Sequence, residues 1–218
     1  MGQPNDARVT AVAVVHQLLP DPFGVVDTTA IDKRAVSGPV QVGPLGVGGD
    51  TQCDRANHGG RDQAVYAYAD EDAAFWADEL DRDIPLGLFG ENLRTRGLDV
   101  TGALIGERWQ VGTALLEVRM PRTPCQNLAM RMGIEGFHIR FNDSGRVGAM
   151  LRVVEPGEIA AGDAVEVVDR PAHAVTVGLL ATGPDAAQYQ AMLDSGVPLA
   201  RRVRAKAQRV AARETTSG

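Results

Sequence analysis

Short apolar segments, each bounded by glycine or proline, are the feature that most limits the folds open to this chain. Glycine and proline (25 and 12 residues) make up about one residue in six of the 218. Brief β-branched runs with a turn signal about every ten residues are typical of a β-barrel or sandwich, and not of a helical bundle. We therefore predict a mainly β fold with a few helices. The predicted strands are 8–18, 63–69, 93–95, 108–111, 115–120, 147–153 and 164–168.

One helix interrupts these strands. Asp70 directly precedes the apolar pattern of Glu71–Leu80. Its carboxylate could accept the free N–H groups of a first helical turn. We predict Asp70 as the N-cap residue of this helix.

The pattern changes near Pro171. Turn signals at 182–185 and 195–198 separate three stretches with helical periodicity, 174–181, 185–194 and 199–213. We predict a β domain over 1–170 and a small three-helix appendage over 171–218. An appendage of this size buries little core alone, so we expect it to pack on the barrel or on a partner subunit. The last 20 residues hold six basic residues and one acidic residue, which we interpret as a solvated face or an interface rim.

Composition excludes several classes of protein. The net charge of −6 argues against a dedicated nucleic-acid binder. No apolar run approaches the roughly 20 residues of a membrane span, and the first residues lack a signal-peptide pattern. Two cysteines cannot form a disulfide framework or, with four scattered histidines, a zinc ribbon. We expect a cytoplasmic protein with reduced cysteines that binds neither nucleic acid nor membranes.

Cys125 is the first candidate for chemistry. It follows an apolar strand in MPRTPCQNLAM, where Pro121 and Pro124 restrict the backbone. Arg122 stands three residues before it, and a thiolate beside a cation is what a nucleophile or a soft-metal ligand requires. A buried apolar cysteine is the alternative. Cys53, in TQCDR, has no comparable setting, and for it we predict no function.

A second candidate is the loop 48–65, GGDTQCDRANHGGRDQAV. Its paired glycines allow a close approach of backbone N–H groups to a ligand, and Arg55 and His58 add side-chain donors for an anion. The glycine spacing fits neither a Rossmann fingerprint nor a P-loop. An ordinary charged turn is the alternative interpretation.

A third segment is LFGENL, residues 88–93. Phe89 and Leu93 could anchor it in the core while Glu91 and Asn92 face a pocket, although a plain turn before a strand fits equally. The four serines include no G-x-S-x-G elbow, which argues against a serine hydrolase.

Taken in order, these segments resemble the MOSC domain, the C-terminal domain of molybdenum cofactor sulfurases, and within that family its stand-alone bacterial YiiM-like branch. The resemblance covers nearly the whole chain, the helical tail included. It is carried by AIDKRAVSGPV (30–40), GGDTQCDRANHGGRDQAVYAY (48–68), LFGENL (88–93), MPRTPC (120–125) and GRVGAMLRVVEPGEIAAGDAVEVVDRP (145–171).

The resemblance implies a β pseudo-barrel that binds the molybdenum cofactor, a molybdenum–pterin, and not pyridoxal phosphate. Cys125 would be the catalytic thiolate ligand of the molybdenum. The other implied cofactor-binding residues are Lys33, Arg55, His58, Asn92 and Arg122. Lys33 is one of only two lysines beside 20 arginines, which also marks it for a test. The chain departs from the branch in two places: a basic residue is common where Gln63 stands, and a basic or aromatic residue is usual after the proline–cysteine pair, where this chain has Gln126 and Asn127.

The implied function is the reduction of N-hydroxylated compounds, such as hydroxylamino bases and amidoximes. The chain has no flavin or iron–sulfur motif, so an external reductase would supply the electrons, and relatives of this branch often form homodimers. One alternative is a non-catalytic carrier of the cofactor or of sulfur on Cys125. Another is a thiol-dependent hydrolase that uses Cys125 and His58.

Overall fold

The computed structural model describes residues 6–24, 26–55 and 59–215, and its centre is a curved sheet of eight strands. The order across this sheet is β11-β7-β8-β9-β5-β6-β1-β2, and a small second sheet has the order β10-β3-β4. The strands are β1 (Arg8–Pro20), β2 (Thr28–Ala35), β3 (Val40–Gly43), β4 (Gly46–Val47), β5 (Val65–Ala69), β6 (Leu93–Arg96), β7 (Arg108–Val111), β8 (Ala114–Pro121), β9 (Ala149–Glu155), β10 (Gly157–Ile159) and β11 (Val165–Asp169).

The large sheet curls so that the residues before β11 reach β1. Its neighbouring strands are antiparallel except β5 and β6, which are parallel. An isolated bridge joins Arg8 of β1 to Ala164, and the Val9 N–H donates to the Asp163 carbonyl at 2.9 Å. The sheet is not a closed barrel, because β2 lies beyond β1 at the end of the strand order. The predicted β-dominated pseudo-barrel fold is confirmed.

Two hydrophobic clusters hold this sheet in place. The inner cluster lies along β8, most of which is buried, and β9, where buried residues alternate; Leu116 and Leu151 belong to it. The second cluster is aromatic: Trp76 stacks on Phe141 with ring centroids 5.4 Å apart, and Phe89 lies 4.9 Å from the same ring. The aromatic cluster packs helices against the outside of β5 and fixes the turn that precedes β6.

The helices bring one confirmation and two corrections. They are α1 (Asp70–Leu80), α2 (Gln126–Met132), α3 (Phe137–Asp143), α4 (Val177–Thr182), α5 (Ala186–Asp194) and α6 (Arg201–Thr215). Helix α1 is present, but the prediction that Asp70 caps it is wrong: Ala69 is the N-cap residue, and the Asp70 carboxylate accepts from Arg96 Nε at 3.1 Å. Helices α2 and α3 were not predicted, because each is a single short element next to a turn.

The three tail helices share the core of the sheet. Tyr189 and Met192 of α5 and Val203 of α6 belong to the inner hydrophobic cluster. Arg119 of β8 donates to the carbonyl of Pro198 just before α6, which ties the tail to the sheet. The three-helix appendage is therefore confirmed, while a domain division at residue 170 stays a prediction. Within the described residues, no helix is long and apolar enough to span a membrane.

Candidate functional site

A cleft opens between the β1–β2 hairpin and the segment that joins β8 to α2. Its cavity volume is about 130 Å³, and the space increases to about 780 Å³ when the part open to solvent is counted. Residues from several separate segments of the chain meet there. Its polar and sulfur-bearing lining consists of Asp21, Thr28, Thr29, Lys33, Asp50, Thr51, Gln52, Cys53, Asp54, Tyr66, Asn92, Arg122, Cys125, Asn127 and Met150.

Cys125 is held at the start of α2. Strand β8 ends at Pro121, and Cys125 is the extended N-cap residue of α2, with its carbonyl accepting from the Leu128 N–H at 3.0 Å. The side chain is partly exposed and its thiol is free. The two prolines and the helix start therefore fix the backbone from which the thiol projects, and the alternative of a fully buried apolar cysteine is wrong.

Arg122 lies deep in the same cleft. Only 7% of the residue is exposed, and its backbone N–H donates to the Gly148 carbonyl at 3.1 Å. Among the described residues, its Nη1 atom has no hydrogen-bond partner. A buried guanidinium nitrogen without a partner has lost its hydrogen bonds to water and gained none in the protein. This position therefore favours the binding of a ligand oxygen.

Lys33 and Asp50 form an ion pair in the lining of the cleft. The Asp50 carboxylate also accepts from the Val15 N–H at 2.9 Å and from Asn92 Nδ2 at 2.8 Å. Burial lowers the pKa of Lys33, and the neighbouring Asp50 carboxylate offsets only part of that shift. Since this ammonium already faces a carboxylate, its expected contact with a pterin phosphate stays a prediction.

Asn92 lines the cleft, as expected, but the protein already uses its amide. Besides the bond to Asp50, Nδ2 donates to the Ala13 carbonyl at 3.2 Å, and Oδ1 accepts from the Tyr66 N–H at 3.1 Å. Asn92 therefore joins β1, β5 and the Asp50 loop across the floor of the cleft.

The LFGENL turn, residues 88–93, includes Asn92 and holds the floor of the cleft in place. The Glu91 carboxylate is fully buried; it accepts from the N–H groups of Gly87 (2.8 Å) and Phe89 (3.1 Å) and pairs with Arg94. Gly87 has a φ of 77°, and its α-carbon sits against the Lys33 carbonyl, where a β-carbon would collide. The expectation that Glu91 faces the pocket is wrong, because its oxygens are consumed within the turn.

Arg55 does not lie in this cleft, which corrects its predicted position. It is exposed and borders a separate shallow depression beside Thr51 and Gln52. Gln52 explains this: its amide accepts from the Gly60 N–H at 2.8 Å and donates to the Gln63 carbonyl at 3.1 Å, so the loop folds back and leaves Arg55 outside. His58 lies outside the described residues, and with it the proposed Cys125–His58 pair.

Several lining residues had no predicted role, and Cys53, Asp21 and Asn127 are among them. Cys53 faces the cleft although no function was predicted for it, and Asp21 arrives there from the tip of the β1–β2 hairpin. Asn127 donates from Nδ2 to the Asp21 carboxylate at 2.7 Å. The only sequence signal for these residues was the departure of Asn127 from the usual residue type after the proline–cysteine pair.

Comparison with known proteins gives consistent similarities. The profile of the MOSC domain matches residues 54–166. The chain is 34% identical over 149 residues to "Uncharacterized protein YflK" of Bacillus subtilis (68% of this chain, 67% of that protein). It is also 34% identical over 145 residues to "Protein YiiM" of Escherichia coli (65% of each). A Gibberella moniliformis protein named "Reductase" is 34% identical over 148 residues, which are only 26% of its length.

Solved structures agree with these sequence similarities. The crystal structure of YiiM from Geobacillus stearothermophilus has a TM-score of 0.76 at 26% identity and covers 93% of this chain and 98% of that one. YiiM from Escherichia coli has a TM-score of 0.71 at 26% identity, with 93% and 91% covered. The similarity in structure therefore includes the helical tail, which the MOSC profile does not reach.

Proposed function

Since this chain belongs to the MOSC domain family, we propose that it is an oxidoreductase that binds the molybdenum cofactor in the cleft and reduces N-hydroxylated compounds with electrons from an external reductase. The observation that carries the proposal is the pairing of a partly exposed thiol, Cys125, with a buried and incompletely bonded guanidinium, Arg122, in one cleft. The reductase class is also supported by the name of the fungal relative.

The residues present fit such a cofactor. A thiolate is a soft ligand suited to molybdenum, and Cys125 would provide it. Arg122 Nη1 lacks an acceptor that an anionic or carbonyl oxygen of the cofactor would supply. Thr28 and Thr29 also line the cleft and would offer hydroxyl groups to such a ligand.

When bound, the cofactor would supply a metal that changes oxidation state by two electrons and accepts an oxygen atom. The chain supplies position and protons. Reduction of a hydroxylamine to an amine and water consumes two protons, and Lys33 Nζ is a proton donor at the cleft wall, held by Asp50. Its lowered pKa makes the ammonium a readier donor than an exposed lysine.

Metal analysis of protein produced in a host that makes the cofactor tests the proposal. We expect wild type to contain molybdenum and to reduce benzamidoxime with reduced methyl viologen, and Cys125→Ala to lose both the metal and the activity. Cys53→Ala removes the other thiol of the cleft and is expected to keep its molybdenum.

Two results would contradict the proposal. If wild type and Cys125→Ala are equally free of molybdenum and equally active, the cofactor assignment is wrong. If wild type holds molybdenum but does not turn over with any reductant, the chain is a carrier of the cofactor and not a reductase.

A further inference from the structure

Asn127 lines the cleft and has an unused hydrogen-bond acceptor. The residue is 7% exposed, and within the described structure its Oδ1 atom is buried and has no hydrogen-bond partner. Asn127 is the second residue of α2, two positions after Cys125, so the same helix start fixes the backbone of both residues. A buried amide oxygen without a donor is costly, and this one belongs to a residue that lines the space in which a substrate would lie.

The orientation of this amide is determined by Asp21. A carboxylate only accepts hydrogen bonds, so the NH₂ group of Asn127 must face Asp21 Oδ2, at 2.7 Å. Asp21 is itself held in place, because its other oxygen accepts from the N–H groups of Phe23 (3.0 Å) and Gly24 (2.8 Å). The free atom of Asn127 is therefore an oxygen, which requires a donor from the ligand.

We propose that Asn127 Oδ1 accepts a hydrogen bond from the substrate, so that the cleft prefers N-hydroxylated compounds with an N–H or O–H donor beside the reacting nitrogen over N-oxides. This inference rests on the proposed function. An amidoxime carries an NH₂ group and an O–H group next to the N–O bond. A tertiary N-oxide carries only an acceptor oxygen and leaves Asn127 Oδ1 unpaired.

Reduction of an amidoxime and reduction of an N-oxide consume the same numbers of electrons and protons. In each, the N–O bond breaks, two electrons arrive from the external reductant, two protons are taken up, and the oxygen leaves as water. The amidoxime becomes an amidine and the N-oxide becomes a tertiary amine. A difference in rate between the two therefore reports on recognition and not on the stoichiometry of the reaction.

The test compares benzamidoxime with pyridine N-oxide, using reduced methyl viologen and protein with a measured molybdenum content. Asn127→Leu has a similar volume but lacks the acceptor. We expect it to lower kcat/KM for benzamidoxime about tenfold, mainly through KM, and to change the value for pyridine N-oxide less than about twofold. The exposed neighbour provides a matched control, Gln126→Ala, which should change neither.

A binding measurement separates recognition from turnover. The Kd of benzamidoxime, measured by calorimetry on the molybdenum-loaded protein without reductant, should rise about tenfold in Asn127→Leu and stay unchanged in Gln126→Ala. Asp21→Ala removes the carboxylate that orients the amide, so we expect it to weaken the preference for benzamidoxime in the same direction as Asn127→Leu.

Four outcomes overturn the inference. Asn127→Leu lowers kcat/KM for both substrates equally, or for neither of them. Its Kd for benzamidoxime may stay at the wild-type value. Asp21→Ala leaves the preference at its wild-type value, although the carboxylate that orients the amide is gone. A wild type that reduces neither substrate contradicts the proposed function itself, a result distinct from the other three.

Discussion

The Lys33–Asp50 pair allows a quantitative test of how the cleft is built. The two side chains are 10% and 7% exposed, so each charge depends on the other for its compensation. Replacing Lys33 by Met roughly keeps the volume of the side chain and, among the described residues, leaves the Val15 N–H and Asn92 Nδ2 as the hydrogen-bond donors to Asp50. Removing one member of a buried pair costs about 3 kcal/mol or more of unfolding free energy.

The expected change is large enough to measure by thermal and urea unfolding. For a chain of this length, a loss of about 3 kcal/mol corresponds to a Tm lower by about 6–12 °C. The adjacent cation of β2, Arg34, has a side chain 62% exposed and lies 3.8 Å from Asp32. Arg34→Met is therefore the matched control, and we expect it to cost no more than about 1 kcal/mol.

The double variant distinguishes a lost pair from a lost contact. Asp50→Asn in the Lys33→Met background removes the second charge while its oxygen still accepts from Val15. We expect the double variant to be at least about 2 kcal/mol more stable than the sum of the two single changes predicts. Additive effects of Lys33→Met and Asp50→Asn, or a Lys33→Met variant as stable as Arg34→Met, would refute the description of this pair as buried and mutually compensated.

Two further predictions concern stability. Gly87→Ala places a β-carbon against the Lys33 carbonyl, whereas Gly38→Ala, at nearly the same φ (78°), meets open space; chemical unfolding should show the Gly87 change as clearly more destabilising, and equal losses would contradict the close approach. His173 is buried, with Nε2 2.8 Å from the Ile105 carbonyl and Nδ1 accepting from the Val175 N–H at 3.1 Å, and burial lowers its pKa below 6.5. The neutral ring is the folded form, so its contribution is complete above pH 6.5 and is lost as pH falls through the folded pKa. The stability advantage of wild type over His173→Gln should therefore shrink between pH 7 and pH 5, and a constant difference would show that His173 does not titrate with folding.

Local sequence patterns predicted most of the strands and the three tail helices. Their apolar period and their glycine and proline boundaries are properties of neighbouring residues, which one chain displays directly. Helix α2 was missed because its seven residues follow two prolines, and such a short helix depends on tertiary contacts. The prediction that Asp70 caps α1 is wrong for a similar reason, because Arg96, distant in sequence, donates to the Asp70 carboxylate.

The candidate site was predictable only where a motif carried it. Cys125, Arg122 and Lys33 were singled out by the resemblance, and the structure places all three in the lining of one cleft. Cys53 and Asp21 reach that cleft through the register of the β1–β2 hairpin and the fold of the Gln52 loop. Neither strand register nor loop direction can be predicted from adjacent residues alone. The position of Cys53 and Asp21 in the cleft is therefore known only from the three-dimensional structure.

The bridge between Arg8 and Ala164 has a consequence for how the protein is made. The first strand of the sheet leaves the ribosome early, but the residues that pair with its outer edge near Val9 are synthesised some 150 positions later. At about 5–20 residues per second, that edge of β1 waits roughly 10–30 s for its partner. During this interval the nascent chain carries an unpaired edge strand, the kind of surface that recruits chaperones or other strands. The contact between β1 and the residues that precede β11 is therefore among the last parts of the sheet that can form.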